Sequence, residues 1–280
     1  MSRETKTTMI ASSEEAAPGT PGRFGFGANW TAYLRQLDDD RVAAATAALV
    51  SLTGRDSLAG VRLLDIGCGS GIHSLAALRL GADVTSFDFD LDSVACTAAL
   101  RQRYAGDAAT RWHLPGQGSI LDLEFVTSLG RFDIVYSWGV LHHTGALRRA
   151  IDAAVSRVEP TGQLVIALYN DQGWISDYWT AVKRWYNTGH VGRVAMTVVH
   201  LPYLASRYLV RRLTGKRTLD RGMSLWHDYI DWLGGYPFDV ASPAAVSAWL
   251  APAGFTAKTV RCVGRRQGCN EYVFVRTHVG

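Results

Sequence analysis

From residue 61 onward the chain alternates short apolar runs with longer stretches of helical spacing. Residues 61–66, 84–87, 132–136 and 163–168 are compact apolar runs with little polar alternation, the pattern of strands buried on both faces. Residues 72–80, 91–104 and 146–158 place apolar side chains three and four positions apart, and the first of these stretches stops at Gly81. Strands and helices in regular alternation predict a parallel, doubly wound α/β sheet with helices on both faces. Ahead of the alternation, Asp38, Asp39 and Asp40 are placed to cap an Ala-rich helix that ends at Gly54.

Between residues 171 and 241 the alternation stops. Two helices, over 174–186 and 191–213, are followed by a polar loop, and this stretch holds five of the nine Trp. A helix over 243–251 and strands over 255–263 and 271–276 close the chain. The layout divides into a disordered tail (1–22), N-terminal helices and a binding core (23–170), a helical aromatic-rich cap (171–241), and the final helix and strands of the core (242–280).

Composition narrows the class of protein. Lys and Arg number 29 against 25 Asp and Glu, a net charge of +4, which gives no argument for a nucleic-acid partner. The densest basic stretch, from Arg207 to Arg221, reads as a solvated helix end and loop. Cys68, Cys96, Cys262 and Cys269 form no CxxC pair, so no structural zinc site and no other metal is expected. The longest apolar run, 194–210, is broken by His200, Pro202 and Arg207 and cannot span a membrane. The first 20 residues lack the apolar core of a signal peptide. These readings predict a cytoplasmic protein with neither a membrane nor a nucleic-acid partner.

The chemistry concentrates in four segments at the ends of the first four strands. Leu63-Leu64-Asp65-Ile66-Gly67-Cys68-Gly69-Ser70-Gly71 reads as a strand, a glycine-rich turn and a helix start. Its glycines let backbone approach a ligand, and the helix start offers unpaired N–H groups. The dinucleotide spacing G-x-G-x-x-G is not met, because position 72 is Ile, and Asp65 suits a cationic amino group better than a pyrophosphate. Asp88, with Phe89 beside it, ends the next strand, where a carboxylate can grip both hydroxyls of a ribose. Gly118-Ser119-Ile120-Leu121-Asp122 is placed for an adenine, and Tyr136-Ser137-Trp138-Gly139-Val140-Leu141-His142-His143-Thr144 follows the fourth strand. All four lie where open α/β sheets bind ligands.

With these motifs in order, residues 61–170 resemble the UbiG/UbiE-like (type 11/12) branch of class I S-adenosylmethionine-dependent methyltransferases, of the bacterial small-molecule type. The resemblance implies a Rossmann-like sheet of seven strands, the last antiparallel. It implies S-adenosyl-L-methionine as cofactor and S-adenosyl-L-homocysteine as product. The loop with Asp65, Gly67, Gly69 and Gly71 would hold the methionine portion, Asp88 the ribose, and Ser119 with Ile120 the adenine, with Ser137 and Trp138 nearby. Ser119 stands where the family often has Asp, which leaves the adenine contact weaker or shared with the Ile120 N–H. Pro160-Thr161-Gly162 replaces the family's Pro-Gly-Gly.

The resemblance also places residues 140–144 against the methyl group, so His142 and His143 are the candidates to take a proton from an acceptor. Adjacent histidines cannot both face it. His142 is the favoured one, and its neighbour is expected to cap the following helix. Asn29 and Trp30 could close over the cofactor, the ring facing the sulfonium, although Trp30 packing on the core explains it equally well. Tyr169, Asn170, Trp174, His227, Tyr229, Tyr236 and Asn270 are candidates to line an acceptor site, which predicts an aromatic or apolar small molecule such as a specialised metabolite. Two other readings stay open, a tRNA or rRNA methyltransferase and a non-catalytic cofactor-binding protein. Tyr136-Ser137-Trp138-Gly139, in place of Asn-Pro-Pro-Tyr, speaks against the first.

Overall fold

A computed structural model describes residues 37–213, 232–264, 266 and 268–276. The predicted tail, Asn29, Trp30, His227 and Tyr229 lie outside the described residues. The sheet has seven strands in the order β3-β2-β1-β4-β5-β7-β6. They are β1 (Arg62–Ile66), β2 (Asp83–Asp88), β3 (Trp112–Gln117), β4 (Phe132–Trp138), β5 (Val158–Tyr169), β6 (Phe255–Arg261) and β7 (Cys269–Arg276). β1 pairs in parallel with β2 and β4, whereas β7 runs antiparallel to both β5 and β6. Eight α-helices matter here: α1 (Asp39–Thr53), α2 (Ile72–Arg79), α3 (Leu91–Tyr104), α4 (Leu123–Ser128), α5 (Leu147–Ser156), α6 (Trp174–Tyr186), α7 (His190–Leu213) and α8 (Pro243–Leu250).

The buried runs behave as double-sided strands. Leu64 and Ile66 of β1 join Val135, Leu164 and Ile166 in one core, while Leu63 joins Val84, Ile134 and Val165 in the core on the opposite face. Strand periodicity sends successive side chains to opposite faces, so a run such as Leu63-Leu64 must be apolar throughout. The helix ends follow capping chemistry. Asp38 Oδ1 accepts the Arg41 N–H at 2.9 Å to start α1, and Gly54 ends it in the left-handed region at φ 70°.

A third hydrophobic cluster lies away from the sheet. Trp179, Val182 and Tyr186 of α6 pack with Leu233 and Phe238, flanked by Met196 of α7. Tyr178 Oη lies 2.8 Å from His200 Nε2, and His200 Nδ1 lies 2.7 Å from the Met196 carbonyl. A carbonyl only accepts, so Nδ1 carries the proton and Nε2 accepts from the tyrosine. That bond fixes which face of α7 turns toward α6.

Two elements depart from the sequence expectation. β3 was not legible, because Pro115 and Gly116 interrupt its pattern. It sits at the sheet edge, where a residue without an N–H is tolerated. β5 extends back to Val158, past the helix end expected there.

Candidate functional site

The strand order reverses beside β1. The chain runs outward through β2 and β3, then returns to lay β4 on the other side of β1. A crevice opens at the carboxyl ends there, and the glycine loop borders it. Gly67 has φ 73°, and its N–H donates to the Phe87 carbonyl at 2.9 Å, tying the loop to β2. A Cβ on Gly67 would stand 2.4 Å from Val140 Cγ1, so the loop after β4 presses directly on this glycine. Gly71, at φ 79°, begins α2, and a Cβ there would come within 2.9 Å of Thr97 Cγ2. Thr97 also holds the turn from α3, donating to the Gly69 carbonyl at 3.1 Å.

Asp88 closes the cradle from β2. One carboxylate oxygen accepts the Gly69 N–H at 2.9 Å and the other accepts the Asp90 N–H at 2.9 Å. A carboxylate has about four lone-pair directions, so each oxygen keeps capacity for a hydroxyl donor. Desolvation raises the Asp88 pKa to about 6, against the lowering pull of these backbone donors.

Asp65 is deeper, and only 3% of it is exposed. Desolvation lifts it to about 7, with the Ser74 hydroxyl bond opposing and the Asp88 charge adding. Ser74 Oγ donates to Asp65 Oδ2 at 2.5 Å and lies 2.7 Å from Ser86 Oγ, which accepts from Trp112 Nε1 at 2.8 Å. Because Ser74 gives its one proton to the carboxylate, Ser86 must be the donor between the two hydroxyls. The relay Trp112→Ser86→Ser74→Asp65 thus supplies one donor to the carboxylate from the edge strand. Burial is the largest influence on both acids, an arrangement that suits a cationic ligand group at Asp65.

The third segment hooks onto the same corner. The Gly118 N–H donates to the Asp88 carbonyl at 2.9 Å, and a Cβ on Gly118 would overlap the Phe125 ring at 2.2 Å. Ser119 Oγ accepts the Leu121 N–H at 3.0 Å, and Ile120 is buried. Phe89 is part-buried next to Asp88, and its carbonyl accepts from Gln117 Nε2 at 2.9 Å. Ser137 is fully buried, and its hydroxyl donates to the Ile66 carbonyl at 3.0 Å, so it supports the glycine loop from below. Trp138 Nε1 donates to Glu271 Oε1 at 3.3 Å, toward β7.

The two histidines separate in the structure. His142 is fully buried, its Nδ1 accepts the Tyr169 N–H at 3.4 Å, and its ring centroid lies 4.0 Å from that of Tyr169. His143 is part-exposed, and its Nδ1 lies 2.7 Å from the Pro237 carbonyl. Carbonyls do not donate, so His143 Nδ1 carries the proton and the neutral ring has its lone pair on Nε2. In His142 the assignment is reversed, with the lone pair on Nδ1 already engaged and the proton on Nε2. Neither histidine side chain caps α5, as had been expected of one of them. The Leu147 N–H goes to Asp239 Oδ2 at 3.2 Å, and the Ala146 N–H goes to Thr144 Oγ1 at 3.2 Å.

The acceptor-site candidates also divide. Tyr169 packs against His142, Trp232 and Phe238, and Tyr236 borders the same cluster. Asn170 and Asn270 pair with each other: Asn270 Nδ2 donates to Asn170 Oδ1 at 2.9 Å, and Asn170 Nδ2 donates to the Gly264 carbonyl at 2.8 Å. Asn270 Oδ1 accepts the Val263 N–H at 3.0 Å, so both amides fasten the β6–β7 loop. Trp174 begins α6 and is 76% exposed. Among the described residues no group of three His, Cys, Asp or Glu side chains could hold a metal ion.

One residue of this region gave no sequence signal. Lys183 on α6 is fully buried, donates to the Trp232 carbonyl, and sits 4.4 Å from the Trp232 ring centroid and 4.7 Å from that of Phe238. Read from the sequence, it is one more basic residue on an amphipathic helix.

A doubly wound sheet with one reversed strand, a glycine loop at the switch point and an acid ending β2 defines a Rossmann-like fold. A family model described as a methyltransferase domain matches residues 33–219, and the chain belongs to that family. It is similar to a ubiquinone biosynthesis O-methyltransferase of Psychrobacter arcticus, 32% identical over 119 residues, 42% of this chain and 44% of that protein. It thus spans under half the length of that relative. A protein of the same name from Xanthomonas euvesicatoria pv. vesicatoria is 28% identical over 208 residues, 74% of this chain and 67% of that one. Among solved structures, magnesium protoporphyrin IX methyltransferase from Synechocystis PCC 6803 with bound SAH shares the fold at a TM-score of 0.52 and 16% identity. That match covers 84% of this chain and 82% of the other.

Proposed function

We propose that the chain transfers a methyl group from S-adenosylmethionine to a small-molecule acceptor of aromatic or apolar character. The observation that carries this reading is the cradle itself. Asp88 sits between two backbone N–H groups opposite a glycine turn that leaves no room for a Cβ, and Asp65 lies buried beside it. These residues fit the cofactor. Asp88 would take the ribose hydroxyls, the Gly67–Gly69 backbone and Asp65 the methionine portion, and the Ser119–Ile120 turn the adenine. When bound, the cofactor supplies a methyl carbon already activated by a sulfonium.

The chain's own work is then positioning and proton removal. His143, part-exposed with Nδ1–H anchored on Pro237, can receive a proton at Nε2 while the carbonyl holds the ring. His142, with its lone pair turned to the Tyr169 N–H, supports Tyr169 and the ring cluster instead. This reverses the preference the sequence alone suggested. Tyr169 lies against both histidine rings and packs with Trp232 and Phe238, aromatic surroundings that favour an acceptor with apolar surface over a nucleic acid.

Calorimetric titration of S-adenosylhomocysteine tests the cofactor half, with micromolar-range binding expected. No heat at millimolar ligand would refute it. Methyl incorporation into a panel of phenols, amines and carboxylic acids tests the acceptor half.

A further inference from the structure

Trp232 carries a buried polar atom that the fold does not use. Its Nε1–H is shielded from solvent and meets no hydrogen-bond acceptor among the described residues, although the residue as a whole is only part-buried. Three rings stand edge-to-face around the indole, Tyr169 at 5.6 Å, Trp179 at 5.3 Å and Phe238 at 6.1 Å between centroids. An aromatic face is only a weak acceptor, and a donor shut away from water without an oxygen costs stability. Nearly all buried donors in folded proteins are paired, so an open one beside a candidate site calls for a ligand atom.

The charge beside it selects the ligand. Lys183 Nζ stands 4.4 Å from the centroid of the same indole and 4.7 Å from that of Phe238. Lys183 is fully buried, so its field is little screened, and an oxygen accepting from Trp232 Nε1 lies within its reach. A carboxylate is stabilised by both groups, a neutral hydroxyl gains less, and an amine is repelled. The surrounding rings suit an aromatic body attached to that carboxylate. The position also suits the reaction. The Tyr169 ring lies 5.6 Å from that of Trp232 and 5.5 Å from that of His143, so a molecule anchored at the indole can extend along Tyr169 to His143.

We infer that Trp232 and Lys183 form the anchoring end of the acceptor site, and that the acceptor is an aromatic molecule bearing a carboxylate, which receives the Trp232 indole N–H. Side-chain rotamers commonly change on binding, and rings held by apolar contact can turn to admit that oxygen. Both residues act on selectivity, and neither touches the reacting atoms. The inference rests on the methyl-transfer reading but uses no residue of the cofactor cradle.

Nuclear magnetic resonance of the full chain with isotope-labelled tryptophan, saturated with S-adenosylhomocysteine, decides it. The Trp232 indole signal is identified by its loss in Trp232→Phe. Expected with para-hydroxyphenylpropanoate is a downfield shift of that indole proton, absent with para-propylphenol and with tyramine. Lys183→Met should bind the carboxylate probe ~10-fold or more weaker while binding S-adenosylhomocysteine as the wild type does. Should that variant not fold, the wild-type shift decides alone. The inference is overturned if the signal stays in place with the carboxylate, or moves as far with para-propylphenol, while S-adenosylhomocysteine still binds. It is equally overturned by an indole proton held upfield with and without the probe, since the N–H then rests on a ring face. Failure of S-adenosylhomocysteine to bind is a different result, which refutes the methyl-transfer reading and takes this inference with it.

Discussion

Val140 occupies the space that a side chain on Gly67 would need, its Cγ1 standing 2.4 Å from the position of a Cβ there. The glycine is required twice, once by this contact and once by its φ of 73°. Gly67→Ala should therefore lose about 2–4 kcal/mol in urea unfolding, combining left-handed strain with overlap. Adding Val140→Ala removes both Cγ contacts and should recover part of the loss, leaving the backbone strain of about 1–2 kcal/mol and the remaining close contact of the residue 140 Cβ at 2.9 Å. Strict additivity of the two substitutions would show that the contact is not the cause.

On the proposed reading, Asp65 and Asp88 set stability against cofactor binding. Both carboxyls ionise later in the folded chain than in the unfolded one, at about 7 and about 6. Their contribution to folding is therefore full below the unfolded value of 3.8 and is lost as pH rises from there to about 6 for Asp88 and about 7 for Asp65, by at most ~1.4 kcal/mol per pH unit for each group. The unliganded protein should melt higher at pH 5 than at pH 8. Asp65→Asn should flatten that slope and raise stability at pH 8, by no more than ~4 kcal/mol, while weakening S-adenosylhomocysteine binding. A variant with the wild-type slope would show that Asp65 is not the titrating group.

Much of this site is readable in the chain because it is local. Asp65, the glycines and Asp88 follow strands whose apolar runs are unmistakable, so their place at the carboxyl ends follows from alternation alone. What escapes is long-range. The hydrogen-bond chain to Asp65 joins Trp112 to Ser86 and Ser74, and Trp112 belongs to the strand that Pro115 and Gly116 conceal. The side chains of Asn170 and Asn270 pair across 100 positions of sequence, a contact that no local pattern announces. The roles of His142 and His143 rest on which carbonyl or N–H meets each Nδ1. Those partners, Tyr169 and Pro237, carry no local signal.

That difference is open to kinetics. His143→Ala should lower kcat by ~10²–10⁴-fold with cofactor affinity unchanged, and it should remove the acidic limb of the pH–rate profile. His142→Ala should instead lower stability, and it should raise KM for the acceptor more than it lowers kcat. If His142→Ala removes the acidic limb and His143→Ala does not, the assignment is reversed.

Lys183 is buried against two aromatic faces and donates to the Trp232 carbonyl. Lys183→Met keeps most of the volume but leaves the Trp232 carbonyl without this donor and removes the cation from two rings. A loss of about 1.5–4 kcal/mol is expected from the hydrogen bond and the ring contacts together. Chemical denaturation measures it. A variant as stable as wild type would mean the ammonium contributes nothing net.

The sheet's borders guard against polymerisation. β3 and β6 are its edge strands, each with backbone groups that a strand from another molecule could in principle pair with. On β3, Pro115 offers no N–H, so a foreign strand laid alongside would find the ladder broken in mid-course. On β6, the exposed Lys258 places a charge that a second copy would have to meet with its own. A protein crowded in a cell is thereby discouraged from extending itself strand by strand into fibrils. The proline that hides this strand from sequence pattern also makes its open edge safe.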